Sequence, residues 1–226
     1  VRALHSDLWV TESPLRFVGL EVGARMTVVR LRDAKLLLHS PVAVSEELLR
    51  EVRELGAVEY IAAPNRLHHL FVGEWQAAFP AASVYVAPGL ENKRADLRIA
   101  GILGNEAEPG WRGEIDQVAV EGFPFANEVV FFHRPSATLI VSDLAYNIGP
   151  SSPLATRAMF RLVGGYGRVS PSVLERLLVR DLAAFSRSLE RILEWPFERI
   201  VVAHGEVSET GGREQFVRGY SWVLNR

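Results

Sequence analysis

Three apolar runs in this sequence deliver polar side chains as they leave the core. Ala63-Pro64-Asn65-Arg66-Leu67-His68-His69 follows the first run. Val141-Ser142-Asp143 closes the second, and Val201-Val202-Ala203-His204-Gly205 closes the third. Imidazole is the commonest metal ligand, and a loop anchored on a rigid strand holds it well. The chain has six histidines, the others being His5, His39 and His133, and no cysteine. A Cys-ligated metal, a disulfide and a Cys nucleophile are therefore excluded, so His, Asp, Glu or backbone groups must hold any metal. Each candidate also has a plain alternative. A His after a strand is usually a surface or hydrogen-bonded residue, and an Asp there is more often a helix cap or turn former.

The 226 residues can build one large core, and no Pro/Gly/Ser-rich linker divides them, so a single domain over 1–226 is expected. The apolar share is 48%, the charged share 23% and the net charge −2, with both signs interspersed. That balance gives no reason to expect nucleic acid or an anionic membrane as a partner, although it leaves room for a local basic surface. No run approaches the roughly 20 apolar residues that span a bilayer. No basic region followed by an apolar core opens the chain, so a cytoplasmic protein is expected. Oligomeric state is not legible in the sequence.

The elements that must position these residues follow from hydrophobic periodicity. Residues 8–11, 26–32 and 35–39 read as strands, with Arg32-Asp33-Ala34 as a tight turn. Ser45 reads as an N-cap, followed by Glu46 and Glu47, by apolar Leu48, Leu49, Val52 and Leu55, and by a stop at Gly56. Strands are expected at 58–63, 83–87, 117–120, 128–132, 138–142 and 199–203. Helices are expected at 70–79, 153–163 and 215–224, with one long amphipathic helix over 173–193. Residues 89–113 read as irregular. Strands precede helices in each of two halves, which points to helices packed on stacked mixed sheets.

In that order, these motifs resemble the metallo-β-lactamase-fold superfamily, in a divergent and functionally uncharacterised branch. The resemblance runs over nearly the whole chain. That superfamily carries an early strand-ending Asp, a His-x-His-x-Asp-His loop, a Gly-His strand end, a bridging Asp after a strand, and a late His-Gly. In this chain residues 36–41 sit at the early Asp, with His39 in its place. Residues 64–69 sit on the loop, Gly122-Phe123 near the Gly-His, 136–143 on the strand of the bridging Asp, and 201–205 on the late His-Gly. The implied fold class is α+β, an αββα sandwich: two mixed β-sheets packed face to face with helices on both outer faces.

The departures cluster. Aligned from His69, the first two loop histidines become Pro64 and Arg66, and the Gly-His position becomes Phe123, or Pro124 with a shifted gap. All three ligands of one metal position are thus missing. The other position keeps its ligands in altered form: His68-His69 for Asp-His, then Asp143, then His204. The resemblance therefore implies one divalent ion, Zn or Fe, on His68, His69, Asp143 and His204, with Asp143 and His204 as the catalytic pair. Four protein ligands would fill a tetrahedral zinc, so one of them, His68 by preference, would stand behind the coordination shell. The implied activity is hydrolysis of a small ester, thioester, lactone or phosphoester. The alternative is a non-catalytic binding protein that has lost its metal centre. A di-iron oxidoreductase would need a carboxylate-rich pattern that this chain lacks.

Other residues are placed near the site by the same reading. His39 would orient a ligand or simply bond Ser40 or backbone. Asn65 and Arg66 occupy ligand positions, where Arg66 would supply positive charge or bind a substrate anion. Glu128 heads an apolar strand and either enters the site or, as the commoner case, stays a surface charge. Tyr146 and Asn147 would line a pocket. Arg157, Arg161 and Arg168 flank Gly164-Gly165-Tyr166-Gly167, as an anion-binding cap or, more commonly, a solvated helix face.

Overall fold

Alternating apolar residues build two sheets that share one inner face. The computed structural model describes residues 1–225. In chain order the first half comprises β1 (Arg2–His5), β2 (Leu8–Ser13), β3 (Arg16–Phe17), β4 (Leu20–Glu21), β5 (Ala24–Arg30), β6 (Lys35–His39), α1 (Glu46–Leu55), β7 (Ala57–Ala63), α2 (Val72–Ala78), β8 (Ser83–Val86) and β9 (Ile99–Ile102). The second half comprises β10 (Ile115–Ala119), β11 (Val129–His133), β12 (Thr138–Ile140), α3 (Leu154–Val163), α4 (Val173–Leu178), α5 (Leu182–Ile192), β13 (Arg199–Val201), α6 (Gly212–Gly219) and α7 (Ser221–Leu224). The larger sheet runs β1-β2-β5-β6-β7-β8-β9, antiparallel as far as β6 and parallel from β6 to β9. The smaller runs β10-β11-β12-β13, with only β12 and β13 parallel. β3 and β4 form a separate hairpin.

Period-two alternation sorts the core into layers. In the larger sheet Val28, Leu36, Leu38, Ile61 and Ala63 pack outward with Leu48, Leu49 and Val52 of α1 and Trp75 of α2. Their neighbours Val29, Leu37 and Ala62 pack inward, against Val129, Phe131 and Ile140 of the smaller sheet. Val130, Phe132 and Leu139 then face the opposite way, with Phe185, Leu189 and Ile192 of α5 and Phe216 and Tyr220 beyond them. Helix, sheet, sheet and helix thus stack as the αββα sandwich. Ser45 caps α1 as expected, its side chain accepting from the Leu48 N–H.

The long helix expected over 173–193 is two. Asp181 caps α5 by accepting from the Ala184 N–H, while the Arg180 and Asp181 N–H groups donate to the Gly122 carbonyl on the facing loop. That loop can approach because Gly122 has φ +75° and no side chain; a Cβ there would lie 2.1 Å from the Asp181 carbonyl oxygen. Local periodicity runs through the break because tertiary bonds, not composition, end α4. The last helix is likewise split at Tyr220, and the stretch 89–113 contains β9. The short strands β1, β3 and β4 carry too little pattern to be read ahead.

Candidate metal centre

The strand ends converge at one edge of the sandwich. Asp143 follows β12, His204 follows β13, and His68 lies in the loop after β7. Among the described residues, these three form the group whose ligand atoms lie within 4.8 Å of one another. His68 Nε2 is 3.3 Å from Asp143 Oδ2, His204 Nε2 is 3.5 Å from Asp143 Oδ1, and the two Nε2 atoms are 3.2 Å apart. All three residues are buried or nearly so.

The other ring nitrogens are engaged. His204 Nδ1 lies 2.6 Å from the Gly23 carbonyl oxygen, which can only accept, so Nδ1 carries a proton and the ring turns Nε2 inward. His68 Nδ1 lies 2.6 Å from Ser40 Oγ. Ser40 is buried with φ +55°, a conformation costly for a residue with a Cβ, and it aims the hydroxyl at the ring. Two imidazole nitrogens that face each other beside a carboxylate need a shared proton or a cation between them. A proton meets that need, and so does a divalent ion, for which two nitrogens and a carboxylate are a fitting donor set.

The carboxylate is held from behind. Asn65, fully buried, donates through Nδ2 to Asp143 Oδ2 at 2.7 Å and to Glu128 Oε2 at 3.1 Å. Its Oδ1 accepts from the Leu67 and His68 N–H groups and shapes the loop that carries His68. Glu128 accepts from three backbone N–H groups, Ser142, Asp143 and Leu144, at 2.7, 2.7 and 2.9 Å. Burial and the neighbouring Asp143 charge push its carboxyl up to about 7, against those donors. Burial also works to raise Asp143, but His68 and His204 outweigh it and hold the carboxyl well below the usual carboxylate range.

Several expected residues lie where the sequence placed them only in part. His69 is not in the group: its Nδ1 lies 3.0 Å from Arg94 NH1, which also donates to the His69 carbonyl. Burial, then Lys93 and Arg94, lower its pKa to about 4. The ordering of the pair is thus reversed from the expectation, with His68 turned inward and His69 turned to Arg94. Glu128 is not a surface charge but fully buried, because it ties down the backbone that delivers Asp143. His39 continues the inward face of β6, its ring 5.1 Å from that of Phe131, with Nε2 buried and without a hydrogen-bond partner among the described residues. Burial, then His68, lower its pKa to about 3, so it stays neutral. Arg66 NH1 reaches the Pro124 carbonyl at 3.4 Å and lies outside the group. Tyr146 covers the site: its ring stacks on His204 at 5.7 Å, and its hydroxyl is 3.5 Å from Asp143 Oδ1 and 3.2 Å from Glu175 Oε1. Burial, then those two acids, raise its pKa well above the ordinary value.

Three contributors carry little or no signal in the motifs. Ser40 and the Gly23 carbonyl set the two rings. Arg25, a charge inside a buried strand, donates to the Val202 and Gly205 carbonyls on either side of His204, and to Glu12. That out-of-place charge in β5 is its sequence signal; a backbone carbonyl such as that of Gly23 leaves none. Gly205, with φ +99°, lets the His204 loop press against Asn147, whose carbonyl oxygen would lie 2.2 Å from a Cβ. A cavity of about 340 Å³ opens beside this loop, lined in part by Gly23, Arg25, Ala203 and Gly205.

Sandwich, strand-end loops and His/Asp group together define a metallo-β-lactamase-fold protein. Solved structures agree on the fold. A metallo-beta-lactamase from Pontibacter korlensis matches with a TM-score of 0.64 at 14% identity, over 98% of this chain and 97% of that one. The metallo-beta-lactamase FIM-1 from Pseudomonas aeruginosa, in its mono-zinc form, matches with a TM-score of 0.64 at 10% identity, over 100% and 96%. A metal-soaked Flv1 flavodiiron core from Synechocystis sp. matches with 0.65 at 15% identity, over 97% of this chain but 59% of that one. Within this fold the chain belongs to the family described as "Domain of unknown function (DUF4336)", whose model matches residues 5–161. That span includes His68 and Asp143 and stops before His204. No curated protein matches the sequence.

Proposed function

We propose that the protein is a mononuclear metal-dependent hydrolase of a small ester, thioester, lactone or phosphoester, with one Zn or Fe ion held by His68, Asp143 and His204. The observation that carries this reading is the opposed Nε2 pair over Asp143, with both Nδ1 atoms already engaged. Three protein donors leave one tetrahedral position free, as a catalytic site needs and a closed structural site lacks. Zinc and iron are also the metals in the names of two proteins of similar fold, the mono-zinc FIM-1 and the flavodiiron core. A bound divalent ion supplies a Lewis acid that polarises the scissile bond and lowers the pKa of an adjacent water.

The chain's own residues do the rest. Asp143 and His204 are the catalytic pair, oriented by Asn65 and by the Gly23 carbonyl. Tyr146 keeps its phenolic proton and offers it beside Asp143. The second reading, a binding protein without catalysis, is favoured by one observation. Pro64, Arg66 and Phe123 offer no second set of ligands, and Phe123 is buried in the core.

Elemental analysis of protein purified without chelator is expected to find about one ion per chain. A hydrolysis screen over esters, thioesters, lactones and phosphoesters is expected to give a turnover that a chelator abolishes. No metal and no uptake on titration would sink the metal reading; metal without turnover would leave the binding protein.

A further inference from the structure

α3 and α4 carry apolar side chains on the side that faces water. On α3, Thr156 and Phe160 are buried, while Leu154, Ala155, Ala158, Met159 and Leu162 are exposed, Leu162 at 83%. At 100° per residue those five form one continuous arc. On α4, Val173, Leu174 and Leu177 are exposed, Leu177 at 74%, while Glu175, Arg176 and Leu178 are half-buried. Glu175 engages Ser172 and the Tyr146 hydroxyl, and Arg176 lies over the Trp222 ring. An amphipathic helix at a water surface shows the reverse pattern.

The end of α3 adjoins the segment that leads into α4. A Cβ on Gly164, at the end of α3, would lie 3.6 Å from the Pro171 carbonyl oxygen and 3.8 Å from Arg168 NH2, just ahead of α4. Charge is also sorted. Residues 153–180 hold Arg157, Arg161, Arg168, Arg176 and Arg180 against one acid, Glu175, in a chain whose net charge is −2. Arg161, Arg168 and Arg180 are exposed. Even dispersal of charge, as overall composition suggests, is therefore not what this segment has.

We propose that the outer face of α3 and α4 docks on an anionic lipid bilayer. Leu154, Leu162, Leu174 and Leu177 enter the boundary between headgroups and acyl chains, and Arg161, Arg168 and Arg180 meet the phosphates. No helix of the described residues is long and apolar enough to cross a membrane, so the contact lies in the interface plane. A second copy of the chain fits less well, since a two-fold contact would set this arginine cluster against itself. Phe160 of α3 and Glu175 of α4 both rest on Tyr146, so the docking face stands one side chain from His204. The docking does not depend on metal being bound.

Sedimentation with vesicles tests this on the full chain. Wild-type protein is expected to pellet with vesicles containing phosphatidylglycerol, to stay in solution with pure phosphatidylcholine, and to be released by salt. Leu162→Ser and Leu177→Ser, both at exposed positions, are each expected to weaken binding about tenfold while leaving the thermal unfolding curve in place. Arg161→Glu with Arg168→Glu is expected to remove the preference for anionic lipid. The proposal is overturned by failure to pellet with anionic vesicles, by equal pelleting with both lipids, or by unweakened pelleting of the leucine variants. A solution dimer that the leucine variants dissociate would also overturn it, by assigning the face to a second copy.

Discussion

His68 and His204 meet Nε2 to Nε2 at 3.2 Å over the Asp143 carboxylate. The contact joins residues 136 positions apart, and each ring is turned into it by a bond at its far nitrogen. The neighbouring His69 has no such bond and turns to Arg94 instead.

Metal uptake should therefore separate two adjacent histidines. His68→Ala, Asp143→Ala and His204→Ala are each expected to abolish binding, measured by elemental analysis after dialysis. His69→Ala and His5→Ala should keep about one ion per chain. Loss of the ion in His69→Ala with retention in His68→Ala would reverse the assignment.

Arg25 holds the His204 loop by the Val202 and Gly205 carbonyls and is 4% exposed. Lysine keeps the charge but cannot span both carbonyls with a planar fork. Arg25→Lys is expected to weaken metal affinity roughly 10- to 100-fold, as loss of outer contacts to a ligand commonly does. Competition against a chromogenic chelator reads this directly, and an unchanged affinity would remove Arg25 from the site.

Asn65 is the donor shared by two buried carboxylates, Asp143 and Glu128. Asn65→Ala leaves both short of a partner and is expected to cost roughly 3 kcal/mol in urea unfolding. Asn65→Asp should cost more, because it adds a third carboxylate where a donor stood. A loss below about 1 kcal/mol for the alanine variant would mean that water replaces the amide.

His133 is buried at the end of β11, and its pKa is lowered to about 4, by burial first and then by His5. The unfolded chain takes up this proton below about pH 6.5 and the folded chain only below about 4. Between those values the unfolded state binds more protons, so stability falls as pH falls. The slope is about 1.4 kcal/mol per pH unit and the total about 3 kcal/mol. His133→Leu is expected to be less pH-sensitive by that amount between pH 7 and 4, measured by urea midpoints. Parallel curves for the two proteins would place the acid sensitivity elsewhere.

Gly122→Ala sets a methyl group against the Asp181 carbonyl and forces φ +75° on a residue with a Cβ. A loss of about 2 kcal/mol or more is expected in thermal or urea unfolding. Wild-type stability would mean that the loop can retreat from α5.

The sequence by itself determined the layers and the strand ends. The apolar runs over 35–39 and 128–132 read as strands because strand period and length are local properties of the backbone, and the order of strands and helices points to stacked sheets. The Ser45 cap and the positions of Asp143 and His204 just beyond apolar runs were legible for the same reason. The tertiary structure alone decided which of His68 and His69 turns inward, since that depends on Ser40 and Arg94, which approach from distant parts of the chain. It alone showed that Glu128 is buried, because the three N–H groups it accepts from belong to another strand end. It split the helix at Asp181 through a bond to Gly122, and it exposed the leucines of α3 and α4, whose periodicity is that of a helix whichever way it faces. Period is written in neighbouring residues; direction is set by what packs against them.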